Sequence, residues 1–584
     1  MVYCGKPSRG CQMCRTRRIK CDEARPTCNQ CTKSRRQCPG YKDEFDLVFR
    51  NETKATERRA QKFTRKIPMQ KIVPQDPDGW AVVVLPSPSS VATMSIEERA
   101  TCHFLSHFVL LPHMGNTVGH MDFLPPLLKQ TDPENHMHHA FKACALAFMN
   151  NRGAAGNNLW QSALNEYSLA LAGTNTALRD PKTQLADTTL AAVLLLGMFE
   201  SISAKQIGMS SWGSHVDGAV QLVKARGKKQ IRTKTGLQLF IAVRMVMTIY
   251  CLTAAKAPAM DVGWWLEDTV FSKTALAVQG LMIKASEIRA HVTQVMNYLP
   301  RTPENAELML DIIRRAQAVD QEAAAWQQNV PESWHYKTVA WEENLQHGDY
   351  AKAEAFPGRV DVYKDIWMAS VTNSCRAVRL ILHSMIVRCA AWVCWPVDYR
   401  TTPEYATAAS VSRDAITDII ASIPYQLGWH LKGNHGHTNF GNFICGEEDS
   451  PKGLAGYLAT WHLTCVNSQD FATDAQRAWV VGRLRSIGND LGVRYANVMC
   501  QLHMRVPSML IRRDVLVAAT YGFEGLLAAR MAPPIAGHAL NPQQQWEEKQ
   551  KNRIEEGKAE LMEKLTKDAP DDNARQFAKK WLNV

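Results

Sequence analysis

The chain has 584 residues, too many for one hydrophobic core, and its 46% hydrophobic and 21% charged content is that of a folded protein with more than one domain. These proportions exclude a wholly disordered or fibrous chain. The net charge of +12 is uneven: residues 1–71 hold 19 Lys and Arg against 7 Asp and Glu, while the remainder holds 49 of each sign. A basic head on a neutral body suits a polyanion, nucleic acid first and an anionic membrane surface second.

Residues 1–10 are expected to be a flexible arm, with Lys6 and Arg9 available to phosphates and Cys4 a bystander. The opening MVYCGKPSRGC has no apolar core of a secretory leader. The longest apolar run, Leu190 to Phe199, is about half of the ~20 residues that span a bilayer. A reducing compartment is therefore expected, with no membrane partner.

Six of the 16 cysteines fall within residues 11–38, spaced C-x2-C-x6-C-x6-C-x2-C-x6-C, so that the half beginning at Cys28 repeats the half beginning at Cys11. In a reducing compartment, paired C-x2-C spacings favour thiolate ligation of zinc over disulfides. Zinc takes four ligands in a tetrahedron. One ion would strand two cysteines; two ions can share Cys11, Cys14, Cys21, Cys28, Cys31 and Cys38 only if two of them bridge. The first cysteine of each repeat, Cys11 and Cys28, is the natural bridge, and two Zn2+ are the expected cofactors. With little apolar core in so short a module, metal binding should supply most of its folding energy.

Between Cys14 and Cys21 lie Arg15, Arg17, Arg18 and Lys20 on a segment that can form a short helix; Lys33, Arg35 and Arg36 match them in the second half. Arg17, Arg18 and Lys20 sit near the end of that helix, where side chains can enter a major groove. Arginine bonds guanine O6 and N7 with two N–H groups, and lysine can serve a base or a phosphate. The bland reading is a solvated face that offsets the negative charge of the cluster, and the cysteine grid beside it favours base reading.

The grid, the CRTRRIKCD run from Cys14, Pro26 in the central loop and the CPGY ending resemble the fungal binuclear zinc cluster (Zn2Cys6) transcription factors. That resemblance implies six cysteines holding two zinc ions, the first and fourth bridging. It also implies a CGG-type triplet read by the end of the first helix, which places Arg17 and Arg18 on base edges with Lys20 beside them.

The basic stretch Arg50 to Lys66 can be a helix along the DNA backbone, a nuclear-import sequence or a solvated linker. Many members of the resembled family dimerise through a coiled coil here, but this stretch has no a/d apolar repeat. Pro68, Pro74, Pro77, Pro86 and Pro88 mark an irregular linker up to about residue 94. The expected division is an arm (1–10), a zinc cluster DNA-binding domain (11–41), a basic and Pro-rich linker (42–94), an α-helical regulatory domain (95–535) and a charged C-terminal helix or tail (536–584).

From Ser95, a fitting N-cap, helical patterns dominate. Helices are predicted over 138–150, 159–172, 185–203, 212–226 (with Gly227 as its stop), 236–250, 286–299, 304–326 and 362–391. Ala81 to Leu85 is the only strand candidate. Ser211 to Gly227, Trp326 to Trp334 and the two stretches beginning at Gly456 and Gln476 also resemble the fungal-specific transcription factor regulatory region. Trp212, His215, Val216 and Ala219 share one helical face and read as core. His136, His138 and His139 read as capping or solvated histidines, and Gly428 to Phe443 as a long Gly- and His-rich loop. With no G-x-S-x-G, P-loop or H-E-x-x-H, an enzyme is not expected.

The chain is thus expected to be a mainly α protein: a Zn2Cys6 cluster with two short helices, a linker, and a large helical body. Its expected role is a nuclear, sequence-specific DNA-binding regulator of transcription by RNA polymerase II, reading a CGG-like triplet, with metabolic or secondary-metabolite genes among its targets. Its expected partner is double-stranded DNA, with a homodimer through the helical body as a further option and no effector identifiable. The alternative is a zinc-stabilised interaction module that binds an acidic protein.

Overall fold

A computed structural model describes residues 11–38 and 95–514, apart from 18, 23, 25–26, 113–118, 154–158, 205–208, 267–272, 344, 346–347, 433–442, 444–450, 503, 507, 509 and 512–513. Two short helices, α1 (Gln12–Thr16) and α2 (Asn29–Lys33), form the head. The body begins with α3 (Ile96–Phe108), which a full capping box starts: Glu98 N–H donates to Ser95 Oγ at 3.1 Å, and Ser95 N–H to Glu98 Oε2 at 2.8 Å. There follow α4 (Leu124–Gln130), α5 (His136–Asn151), α6 (Trp160–Arg179), α7 (Asp187–Ser203), α8 (Met209–Arg226), α9 (Lys234–Ala254), α10 (Val262–Trp265), α11 (Lys273–Tyr298) and α12 (Pro303–Asn329). After a β-hairpin come α13 (Ile366–Cys394), α14 (Pro403–Gln426), α15 (Gly453–Asn467), α16 (Asp474–Asn489) and α17 (Tyr495–Met499). Successive long helices pack on one another, and one core cluster runs through the body.

Each predicted helix is present, and most extend further than the apolar pattern reached. The predicted 286–299 segment is the second half of α11, whose first half carries Ala275, Val278 and Met282 inward. Gly227 ends α8 with φ +62°, a conformation that glycine adopts at no steric cost. One segment departs in type. The helix expected to begin at Val362 begins at Ile366, with Asp365 as its N-cap, because Val362 ends a strand. Strands β1 (Lys337–Glu342) and β2 (Gly358–Val362) pair antiparallel with a bulge near Thr338. Expecting no strand here was an error: β1 is exposed on both faces, so no apolar alternation announces it. Ala81 to Leu85, the linker and the C-terminal tail lie outside the described residues, as does most of the Gly428–Phe443 segment.

The longest uninterrupted apolar run also understated the body. Two helices, α9 and α13, are long and apolar enough to cross a membrane, with 67% and 83% of their most apolar stretches buried inside the protein. They are core helices whose runs are broken by buried charge. Of the 29 residues of α13, 24 are buried, so this helix is enclosed on nearly all sides.

Its arginines are each met by a carboxylate from a different neighbour. Arg376 reaches Asp418 on α14 at 3.4 Å, Arg379 reaches Asp320 on α12 at 2.7 Å, and Arg388 reaches Asp470 at 2.7 Å and Asp514 at 3.3 Å. Arg505 closes the last cluster against Asp514 at 2.5 Å. Burial works to raise the Asp320 pKa, but hydrogen bonds from His383 and Arg379 outweigh it and hold this carboxyl at about 2. Asp361, fully buried on β2, is bonded by Arg359 at 2.9 Å and Thr338 at 2.7 Å, which joins the hairpin to α14 through the Arg359–Asp418 pair. Removing one member of such a pair strands a buried charge, at a cost of about 3–5 kcal/mol.

Three buried histidines make stability pH-dependent. Desolvation lowers His107 to about 2, His462 to about 3 and His430 to about 4, from an ordinary 6.5. Neutral His107 accepts the Gly453 N–H at 3.1 Å through Nδ1. Below pH 6.5 the unfolded chain binds protons that these folded sites refuse. Their contribution is therefore complete above about pH 6.5 and falls by up to about 1.4 kcal/mol per pH unit per histidine as acid is added. The thermal midpoint of the body should fall by several degrees between pH 7.5 and pH 5, followed by circular dichroism. A midpoint that holds level or rises over that interval would contradict this assignment.

Candidate metal centre and nucleic-acid interface

The two halves of the head use the same local device. In α1 the Cys14 N–H donates to Cys11 Sγ at 3.4 Å, and in α2 the Cys31 N–H donates to Cys28 Sγ at 3.4 Å. Each repeat's first cysteine therefore caps its own helix. A C-x2-C pair spans one helical turn, so capping by the first sulfur brings the second beside it. Sequence repetition becomes structural repetition.

The caps turn four buried sulfurs toward one another. Cys11 Sγ lies 3.7 Å from Cys28 Sγ and 3.7 Å from Cys31 Sγ, and Cys14 Sγ lies 3.6 Å from Cys28 Sγ. Cys21 and Cys38 complete two four-sulfur groups, Cys11–Cys14–Cys21–Cys28 and Cys11–Cys28–Cys31–Cys38, each with all its Sγ atoms within 4.8 Å of one another. Four sulfurs around one zinc at ~2.3 Å form a tetrahedron whose edges are ~3.8 Å. The measured separations fit that edge, and Cys11 and Cys28 are the two members common to both groups. No disulfide joins them.

As thiols these groups hold their protons tightly. Burial first, and then hydrogen bonds among the sulfurs, raises Cys14 well above its ordinary 9.0 and Cys31 to about 12. Cys11 is also raised, by burial foremost, although other hydrogen bonds oppose the shift. Ionising such a set at neutral pH calls for cations among the sulfurs, and a dication beside each group of four meets that need. Among the described residues, these are the only groups of three or more His, Cys, Asp or Glu placed to hold a metal ion.

The histidine cluster does other work. His139 Nδ1 lies 2.7 Å from Glu166, His138 Nε2 2.9 Å from Thr131 Oγ1, and His136 Nε2 3.4 Å from Thr189 Oγ1, while Asn135 caps the helix. Of the other ten cysteines, Cys144, Cys251, Cys375, Cys389 and Cys465 are buried, as small hydrophobes are, whereas Cys102 is exposed.

The cationic surface is placed only in part. Arg17 follows the last turn of α1 and is exposed, as are Lys20, Lys33, Arg35 and Arg36. Arg15 is on α1, but its side chain lies outside the described residues, and so does the whole of Arg18. Arg17 Nη1 donates to Ser34 Oγ at 3.1 Å, which joins the two halves of the head. A second link also had no reading in the sequence. Asp22 accepts from the Asn29 N–H at 3.1 Å and from Asn29 Nδ2 at 2.7 Å, tying the exit of the first half to the start of α2. Its position directly after Cys21, at a fixed distance from the cysteine grid, was the available signal.

Residues 9–46 match the fungal Zn(2)-Cys(6) binuclear cluster domain, and residues 102–498 match the fungal specific transcription factor domain. The cluster domain binds two zinc ions, and the sulfur groups described above suit it. The transcription factor dbaG of Emericella nidulans is 21% identical over 345 residues, 58% of this chain and 76% of that protein. White-opaque regulator 2 of Candida albicans is 49% identical over 47 residues, 8% of this chain and 10% of that protein. The aspercryptin biosynthesis cluster-specific transcription regulator atnN of Emericella nidulans is 51% identical over 37 residues, 6% of each chain. The chain thus covers three quarters of the first relative but a tenth or less of the other two. No solved structure matches the chain. Both matches are to transcription factor domains and the relatives are regulators of transcription, not enzymes, so a zinc-dependent DNA-binding head followed by a regulatory body has one reading: the chain belongs to the fungal-specific transcription factor family, as a Zn2Cys6 regulator.

Proposed function

We propose that this regulator acts in the nucleus and reads a CGG-like triplet through the end of α1. Two zinc ions are held by the six cysteines, Cys14 and Cys21 serving one ion, Cys31 and Cys38 the other, and Cys11 and Cys28 bridging both. The observation that carries the reading is the pair of four-sulfur groups that share those two cysteines. Six thiolates and two Zn2+ leave a charge of about −2, which the arginines and lysines around the cluster offset. Arg17 and Arg18 take base edges with Arg15 and Lys20 beside them, and Lys20 and the other cations grip phosphates.

The segment after the cluster has no apolar heptad, so one head engages one triplet, and pairing of two chains, where it occurs, uses the helical body. A relative named as specific to a biosynthetic cluster supports secondary-metabolite genes as the targets. An acidic protein partner in place of DNA is the outcome that the tests below would reveal.

Zinc stoichiometry tests the ligand assignment. The full chain should carry two zinc ions in metal analysis after dialysis against a weak chelator. Cys38→Ser should retain one, whereas Cys28→Ser, which takes a sulfur from both groups, should lose both. Equal losses in the two variants would refute the bridging role.

DNA affinity tests the base contacts. Arg18→Ala should cost about 1–3 kcal/mol against the preferred sequence, leave scrambled DNA almost unaffected and relax the preference at one base. Lys20→Ala should weaken all sequences more evenly and flatten the salt dependence. A loss in Arg18→Ala that is the same for both DNAs would remove that residue from base reading.

A further inference from the structure

The body holds a two-lobed cavity between α7, α8 and α9 on one side and α11, α13 and α15 on the other. Each lobe has a cavity volume of about 70 Å³. They adjoin, because Trp212, Met245, Ile249, Tyr457 and Leu458 border both. Each is well above the roughly 10–15 Å³ that a single water needs, so there is room for a small molecule.

The cavity explains an anomaly in α9. Ala242, Met245, Val246 and Ile249 fall at i, i+3, i+4 and i+7, the spacing of a core stripe, yet all four are only half-buried. They pack against the core on one side and line the cavity on the other. Close packing is the rule for protein interiors, so an apolar stripe that borders empty space points to an occupant.

The lining also carries unmet polar groups. Among the described residues, Gln238 Oε1 beside the first lobe has no hydrogen-bond partner, nor have Gln279 Oε1, His462 Nδ1, Tyr495 Oη and the indole N–H groups of Trp367 and Trp461 beside the second, and all are closed off from bulk solvent. Buried polar atoms left unmet are costly, and a ligand whose entry turns them toward it would relieve that cost. Charge narrows the class of ligand. Among the described residues no Lys or Arg lines either lobe, so a carboxylate or phosphate finds no counter-charge there. The one acid, Asp122, is occupied by the Gln238 amide at 2.5 Å. Trp212, Tyr457, Trp461, Trp367 and Tyr495 offer flat faces, with the Trp212 and Tyr495 rings 6.1 Å apart.

We propose that this cavity is a binding site for an uncharged, flat, largely apolar small molecule bearing hydroxyl or carbonyl groups, held between the α9 stripe and the aromatic residues of the second lobe. The site is independent of the DNA reading, since neither the head nor its zinc takes part.

Fluorescence titration of the full chain tests it, with the neutral naphthyl ketone 6-propionyl-2-(dimethylamino)naphthalene as the probe. Saturable binding of one probe per chain is expected, with a blue-shifted emission. Ala242→Phe fills the first lobe and should weaken binding by at least about tenfold without lowering the thermal midpoint. Tyr495→Phe removes an unmet hydroxyl and should weaken binding by about fivefold, with the midpoint level or raised. The anionic probe 8-anilinonaphthalene-1-sulfonate should bind at least about tenfold more weakly than the neutral one, for want of a counter-charge. Should Ala242→Phe fail to fold, Tyr495→Phe and the anionic probe decide the matter. Absence of saturable binding, unchanged affinity in the folded variants or a preference for the anion would overturn the proposal.

Discussion

Cys11 and Cys28 stand with their sulfurs 3.7 Å apart, each capping a helix and each shared by two groups of four. A sulfur cage this tight and this buried holds its protons as thiols and repels itself as thiolates, so it is favourable only with cations inside it. The head has little else to hold it: Met13 is the one non-cysteine apolar side chain packed on the sulfur cluster among the described residues. Metal binding and folding are therefore one event here. The surface follows from the same constraint. Sulfur fills the interior, so the cations between the cysteines are left outside, where an arginine at the end of α1 faces solvent or a nucleic acid.

The helical body meets the same constraint with different partners. Helix α13 is enclosed on nearly every side, yet it carries Arg376, Arg379 and Arg388, and carboxylates from α12, α14 and the segments beyond α15 converge on them. These pairs fix which neighbour lies against which turn of the helix, a specificity that apolar contacts alone do not supply. Where the matching stops, a cavity is left. Around Trp212 and Tyr457 the body has apolar walls, unmet polar atoms and, among the described residues, no basic side chain, the opposite of the ion-paired clusters beside it.

The head was legible because its chemistry is local. Cysteine spacing, ligand count and the repeat lead to two shared sulfurs without any knowledge of the fold, and Cys11 and Cys28 are the two members common to both sulfur groups. The links that hold the halves together, Asp22 to Asn29 and Arg17 to Ser34, were not legible, since a surface aspartate and a serine have many uses. In the body, 3.6-residue periodicity located the helices, but their ends moved by several residues where half-buried stretches such as the start of α11 lack a clear stripe. The hairpin at Lys337–Val362 was missed because β1 has no buried face. Trp212, His215 and Val216 were read as a core face; Trp212 and Val216 are buried, yet all three border the cavity, for a sequence pattern marks a face as apolar without saying whether protein or ligand covers it.

The account rests on a head that needs zinc in order to read sequence. The direct measurement is selection of the full chain on a pool of random duplex DNA, carried out with zinc, after chelation, and after zinc is restored. The account predicts a single short GC-containing core enriched with zinc, lost on chelation and recovered on restoration. Enrichment that survives chelation, or a zinc-loaded chain that retains DNA with no sequence preference, would contradict it.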